Sequence, residues 1–215
     1  MRYQAIKSIG LLNISVLLMA IVSCSGMQGQ RPQEKVAADA ATKIHPVTDI
    51  ETAKLIAEVR RGTEKYLDFE KAKADGYFQG SGNKADIGYH FINPAYLSTF
   101  DLQKPPILIY IKEGGSWKLV GTVFVTLASA GDPNKVLPFK GAEYLPHPAM
   151  CHFKDGSMVM MAHPDGCTRA NNAGAELGVW HPNLDVVSVW AWYPNPKGVF
   201  AYTNPFLEPM TAGAK

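Results

Sequence analysis

The sequence predicts an α+β domain, an N-terminal amphipathic helix packed on a mostly antiparallel β-sheet. Three observations carry this expectation. Apolar residues recur at steps of three and four from Leu55 to Ala72, the period of a helix with one buried face. Beyond Gly88 the chain turns to short runs rich in β-branched and aromatic residues, the composition of strands. Gly-Gly, Asp-Gly and Asn-Pro pairs separate those runs, and such pairs mark turns.

The helix is expected to open at Thr48-Asp49-Ile50-Glu51, a capping-box pattern. Leu55, Ile56, Val59, Thr63, Tyr66, Phe69 and Ala72 form its stripe, Gly62 weakens its middle and Gly76 stops it, because glycine accepts the left-handed backbone of a helix end. The stripe reads as a packing face. Among the strands, Ile107–Lys112 and Trp117–Leu127 flank the turn Glu113-Gly114-Gly115-Ser116, the clearest hairpin in the chain. Val186–Tyr193 reads as another strand, ended by Pro194 and Pro196. Its tryptophans, Trp190 and Trp192, suit a core position.

The stretch AMCHFKDGSMVMMAHPDGC, Ala149 to Cys167, concentrates cysteine, histidine and methionine. With Asp155-Gly156 as a two-residue turn, His152 would face Val159 and Met150 would face Met161. Alternation then gathers Met150, His152, Val159, Met161 and His163 on one face. Cys151 and His152 point oppositely, which makes them a poor nucleophile–base pair.

The chain begins MRYQAIKSIGLLNISVLLMAIVSCSG, with Arg2 and Lys7 ahead of a mostly apolar run from Ile9 to Val22. That run is shorter than the ~20 apolar residues of a membrane span. A charged start and a small-residue end are those of an export signal. Ile21-Val22-Ser23-Cys24 resembles the bacterial lipobox. Residues 1–23 therefore read as a lipoprotein signal peptide, with Cys24 the acylated first residue of the mature chain. The competing reading is a plain signal peptide with a chance cysteine. Ser25, not Asp, follows Cys24, which points to an outer-membrane lipoprotein of the cell envelope, facing the periplasm or the surface. Residues 24–46 are rich in Gln, Ala, Gly and charge without apolar period. They read as a flexible tether in which His45 is solvated. Residues 47–215 are one domain's worth of chain.

Export also decides the cysteines. Once Cys24 goes to lipid, Cys151 and Cys167 remain as a pair in an oxidising compartment. A straight hairpin would hold them roughly 20 Å apart at about 3.3 Å per residue, so the chain must fold back at Pro164-Asp165-Gly166 or the hairpin must be short. The net charge is +2 over 215 residues, with no basic stripe to suggest nucleic acid.

His90, His147, His152 and His181 stand at strand ends or turns, in GYHFINP, PHPAMCH and WHPNLD. Such histidines can converge from separate strands on copper or zinc, His90 and His152 forming the centre and His147 and His181 the next candidates. Their spacing is no established ligand signature, and for each the plain alternative is a bond to local backbone. The competing classes are a metal-dependent hydrolase or oxidoreductase and a purely structural envelope module. An enzyme would need an acid or base near the metal, for which Asp86, Glu143 and Asp155 are the candidates. A small polar ligand is the alternative occupant to a metal ion.

The motifs KADGY, GYHFINP, CHFKDG, WHPNLD and WAWYPNPKGVFAYTNPF resemble those of an uncharacterised group of bacterial exported proteins and lipoproteins. The resemblance spans most of Tyr66 to Phe206. It implies a single exported domain with a pocket near His90 and carries no biochemical activity. Where the resembling sequences have HVW, this chain has Ser188-Val189-Trp190.

Overall fold

The computed structural model describes residues 49–127, 139–142, 144–168 and 174–208. The expected signal peptide, Cys24, the whole of the expected tether and Glu143 lie outside the described residues.

The first described element is helix α1 (Ile50–Thr63). Its cap is Asp49, not Thr48: the Asp49 carboxylate accepts from the Thr52 N–H at 2.7 Å. The single long helix of the sequence reading is three pieces. A 3-10 turn occupies Glu64–Leu67, and α2 (Phe69–Ala74) starts afresh on Asp68. Near the break a Cβ at Gly62 would fall 2.3 Å from the Gln103 Cα, so the glycine admits a neighbouring loop against the helix. The apolar stripe survives the break, with Ile56, Val59, Thr63, Tyr66 and Ala72 all buried. Gly76, at φ 95°, ends the segment as expected. The helix is not at the chain's N-terminus, and the described fold is mostly β.

Nine strands follow among the described residues: β1 (Phe78–Gln79), β2 (Tyr89–Ile92), β3 (Ile107–Glu113), β4 (Ser116–Leu127), β5 (Leu145–His147), β6 (Met150–Phe153), β7 (Met158–Met160), β8 (Leu177–His181) and β9 (Leu184–Val189). They form a six-stranded sheet in the order β1-β2-β3-β4-β9-β5 and a three-stranded sheet in the order β7-β6-β8. Every strand pairing is antiparallel. The β3–β4 hairpin turns through Gly114 and Gly115, both at positive φ, which a two-residue hairpin loop requires.

Strand alternation gives the large sheet two different faces. Leu108, Tyr110 and Phe124 pack with Ile56, Val59, Tyr66 and Ala72 beneath the helices. Ile109, Ile111, Val123, Val125, Leu184 and Val186 form the opposite face. Trp190 is buried with that second group, while Trp192 packs on the helical side and donates to the Thr63 hydroxyl at 2.9 Å. Both tryptophans are therefore core residues.

One two-stranded ribbon joins the sheets. In the large sheet β5 pairs with β9, with His147 opposite Leu184; in the small one β6 pairs with β8, with Met150 opposite His181. The ribbon changes sheet at Pro148-Ala149 on one strand and Pro182-Asn183 on the other. A proline has no N–H for the ladder, so the pairing breaks where both strands carry one. The Asn183 side chain bridges the break, accepting from the Ala149 N–H at 2.8 Å.

The small sheet corrects the expected hairpin. Phe153 and Ser157 close the loop, with Gly156 at φ 84°, so three residues turn the chain instead of two. The register slips by one: Met150 faces Met160 and His152 faces Met158. A one-residue slip moves a whole strand to the other face. Met158 and Met160 now share the His152 side, while Met161 packs with Cys151, Phe153 and Cys167. That second cluster is centred on the Cys151–Cys167 disulfide, with Cα atoms 5.7 Å apart. Both ways of closing the gap are used, since β7 is three residues long and the chain folds back in a 3-10 turn at Pro164–Gly166.

Candidate metal centre

Three of the four candidate histidines come together at the bend of the ribbon. His147 ends β5, His181 ends β8, and His152 lies inside β6. One ligand nitrogen from each lies within 4.8 Å of the others. The His152 and His181 rings stack at 5.1 Å between centroids, and the His147 and His181 rings at 5.3 Å. His152 and His181 are each 5% exposed, and His147 is half-buried.

Hydrogen bonds orient two of the rings. His152 Nδ1 lies 2.7 Å from the Gly80 carbonyl oxygen, and His181 Nδ1 lies 2.7 Å from the Pro182 carbonyl oxygen. A carbonyl can only accept, so both Nδ1 atoms must carry the proton. That leaves each Nε2 as a bare lone pair in the neutral ring. Yet the two Nε2 atoms sit 3.1 Å apart. Three polar contacts in a row need three protons, and two neutral imidazoles supply two. One further proton, or a metal cation in its place, would complete the set at the Nε2 pair. A shared proton would be one solution and a metal ion the other.

The surroundings weigh against the proton. Burial holds His152 and His147 down to about 4 and lowers His181 as well. The nearby ammonium of Lys84 pushes His147 and His152 the same way. Neutral imidazoles with free Nε2 are the form in which histidine binds a metal. An Nδ1–H bonded to a carbonyl is the support that fixes such a ligand's tautomer. Nitrogens bound to one ion at 2.0–2.1 Å stand roughly 3–4 Å apart, and the observed 3.1 Å falls in that range.

The centre borders two spaces. A cavity of about 70 Å³ lies between the sheets, lined by His90, His147, His152 and His181 and by Ile92, Val123, Val125 and Val186. Met150 and Met158 also line it, across the strand pair from His181 and His152 respectively. On the outer side, His181, Trp180 and Pro182 border a more open groove of about 540 Å³ with Phe100 and Leu127.

His90 faces the same cavity but stands outside the three-histidine group. It lies on β2, opposite Ile109, and the centre of the cluster is His152 with His181. His163 is exposed and precedes the 3-10 turn, away from the group. Asp155 caps the hairpin loop through Ser157, accepting at 2.9 Å from its N–H, and Asp86 is not among the grouped ligands. The sequence reading did not anticipate the carbonyls of Gly80 and Pro182 or the side chain of Asn183. Gly80 is required where it stands, since a Cβ there would fall 2.3 Å from Ile92 Cδ1. The two His-Pro pairs at the bend are a visible signal, though His163-Pro164 carries the same pair without joining the cluster, and His45-Pro46 lies outside the described residues.

No protein-family model matches the chain, and neither the curated proteins nor the solved structures yield a match.

Proposed function

We propose that the protein is a lipid-anchored envelope protein that binds one transition metal ion, copper or zinc, through His147, His152 and His181. The observation that carries this reading is the proton count: two Nδ1–H groups committed to carbonyls and two bare Nε2 atoms 3.1 Å apart. Three imidazoles leave a fourth coordination position, filled in catalytic zinc sites by water or substrate. Zinc would accept water there, while copper in its reduced state would also accept a thioether, which Met150 or Met158 offers from the cavity wall.

Calorimetric titration of the full chain, purified without a polyhistidine tag, tests the metal. The expected result is one zinc or copper ion per chain, lost by at least 100-fold in affinity in His152→Ala and unchanged in His163→Ala. Binding undiminished by His152→Ala contradicts it. The anchor is tested separately: Cys24→Ala is expected to abolish fatty-acid labelling and release the protein from membranes. A wild-type chain that takes up no fatty acid rules the anchor out.

A further inference from the structure

His90 is the unexplained group in this cavity. Its Nε2 is fully enclosed and has no hydrogen-bond partner among the described residues. An enclosed polar atom without a partner is costly, and in native proteins it usually signals a missing ligand, ion or water. The His90 backbone is fixed on both sides: its N–H donates to the Ser81 hydroxyl at 3.1 Å, and its carbonyl accepts from the Gly80 N–H at 2.9 Å. The carbonyl of the same Gly80 accepts from His152, so one short segment sets the position of both rings. The cavity they share, about 70 Å³, exceeds the 10–15 Å³ or so that a single water needs. Apart from Lys84, Ser81, Ser188, Tyr202 and the histidines, its lining residues are aliphatic or methionine.

We infer that His90 receives a small ligand bound to the metal's fourth position, donating a hydrogen bond from Nε2 to the ligand's far end. The inference rests on the metal reading of the three-histidine centre. The occupant it describes is an anionic or dipolar species of two or three heavy atoms. One end coordinates the ion held by His147, His152 and His181, and the other accepts from His90. Aliphatic walls hold back bulk water, and the remaining room is too small for a sugar or a peptide. In this arrangement His90 is not a metal ligand, which agrees with its place outside the group of three.

Two separate titrations test this on the full chain. Cobalt(II) is added first and read by its visible spectrum, and azide is then added to the cobalt-loaded protein. For the wild type we expect one cobalt per chain and a saturable spectral change with azide. His90→Leu should hold cobalt within twofold of wild type and bind azide about tenfold more weakly, the loss expected for one hydrogen bond to a charged group. His90→Gln, which keeps a donor, should recover most of the azide affinity. Circular dichroism establishes that each variant is folded. Equal azide affinity in wild type and His90→Leu overturns the inference while leaving the metal centre intact. A parallel fall in cobalt affinity overturns it differently, by making His90 a ligand. If the wild type binds no cobalt, the metal reading fails and this inference with it.

Discussion

The two sheets solve different problems. The six-stranded sheet is held by apolar burial on both faces, with Ile109, Ile111 and Phe124 entirely enclosed. The three-stranded sheet has a small apolar cluster of its own, centred on a disulfide. Its other face carries His152 and the methionines that line the cavity. A sheet this small has little apolar surface to bury, so covalent closure takes over part of that role. The large sheet supplies stability, a dry wall and His147, while the small one supplies His152 and His181 and is stapled by the disulfide.

Substitutions should separate the two roles. The largest effect belongs to the large sheet. Phe124 packs against Phe100 and Phe139, and Phe124→Ala should cost about 3–5 kcal/mol in chemical denaturation. Metal affinity per folded molecule should stay near wild type. Replacing Cys151 and Cys167 together should cost roughly 3 kcal/mol for a loop of this length. Here metal affinity should fall as well, because β6 carries His152. If the disulfide-free chain binds metal as well as wild type, the staple does not hold the site.

Acid provides an intermediate test. His152 has a folded pKa lowered from 6.5 to about 4. The unfolded chain therefore binds a proton that the folded chain refuses throughout that window. Stability is fully present above about 6.5 and is lost as pH falls toward about 4, with a slope approaching about 1.4 kcal/mol per pH unit for His152 alone. His147 adds to the loss in the same direction. His152→Gln should flatten the profile, measured as denaturation midpoint against pH on the metal-free protein. The smallest effect belongs to the exposed Lys154–Glu176 pair at the rim of the small sheet. Glu176→Gln should change stability by less than about 1 kcal/mol, unlike the disulfide in the same sheet.

Local periodicity made the helical stripe and the β3–β4 hairpin legible in the sequence. Val59, Tyr66 and Ala72 are buried where the period of three and four places them, and Gly114-Gly115 is the turn that the pair signals. The β6–β7 hairpin was misplaced by one residue because Asp-Gly serves both two-residue loops and three-residue loops ending in glycine. That slip exchanged the faces of Met158, Val159 and Met161 and brought the wrong neighbours to His152. His147 and His181 were visible as candidates, yet their meeting depends on a ribbon that bends at two prolines 34 residues apart in number, Pro148 and Pro182. Nothing local in the sequence states that pairing. The Gly80 and Pro182 carbonyls, which fix the tautomers, are backbone atoms and leave no mark in residue identity.

In the proposed centre a metal ion takes the place of a third proton between His152 and His181. Nitrogen-15 NMR of the histidine rings during a zinc titration reads this directly. At one equivalent of zinc, Nδ1 of both residues is expected to keep its proton while Nε2 shifts as a metal-bound nitrogen. If either ring instead carries its proton on Nε2 with zinc in excess, no ion lies between them and the proposed metal centre is wrong.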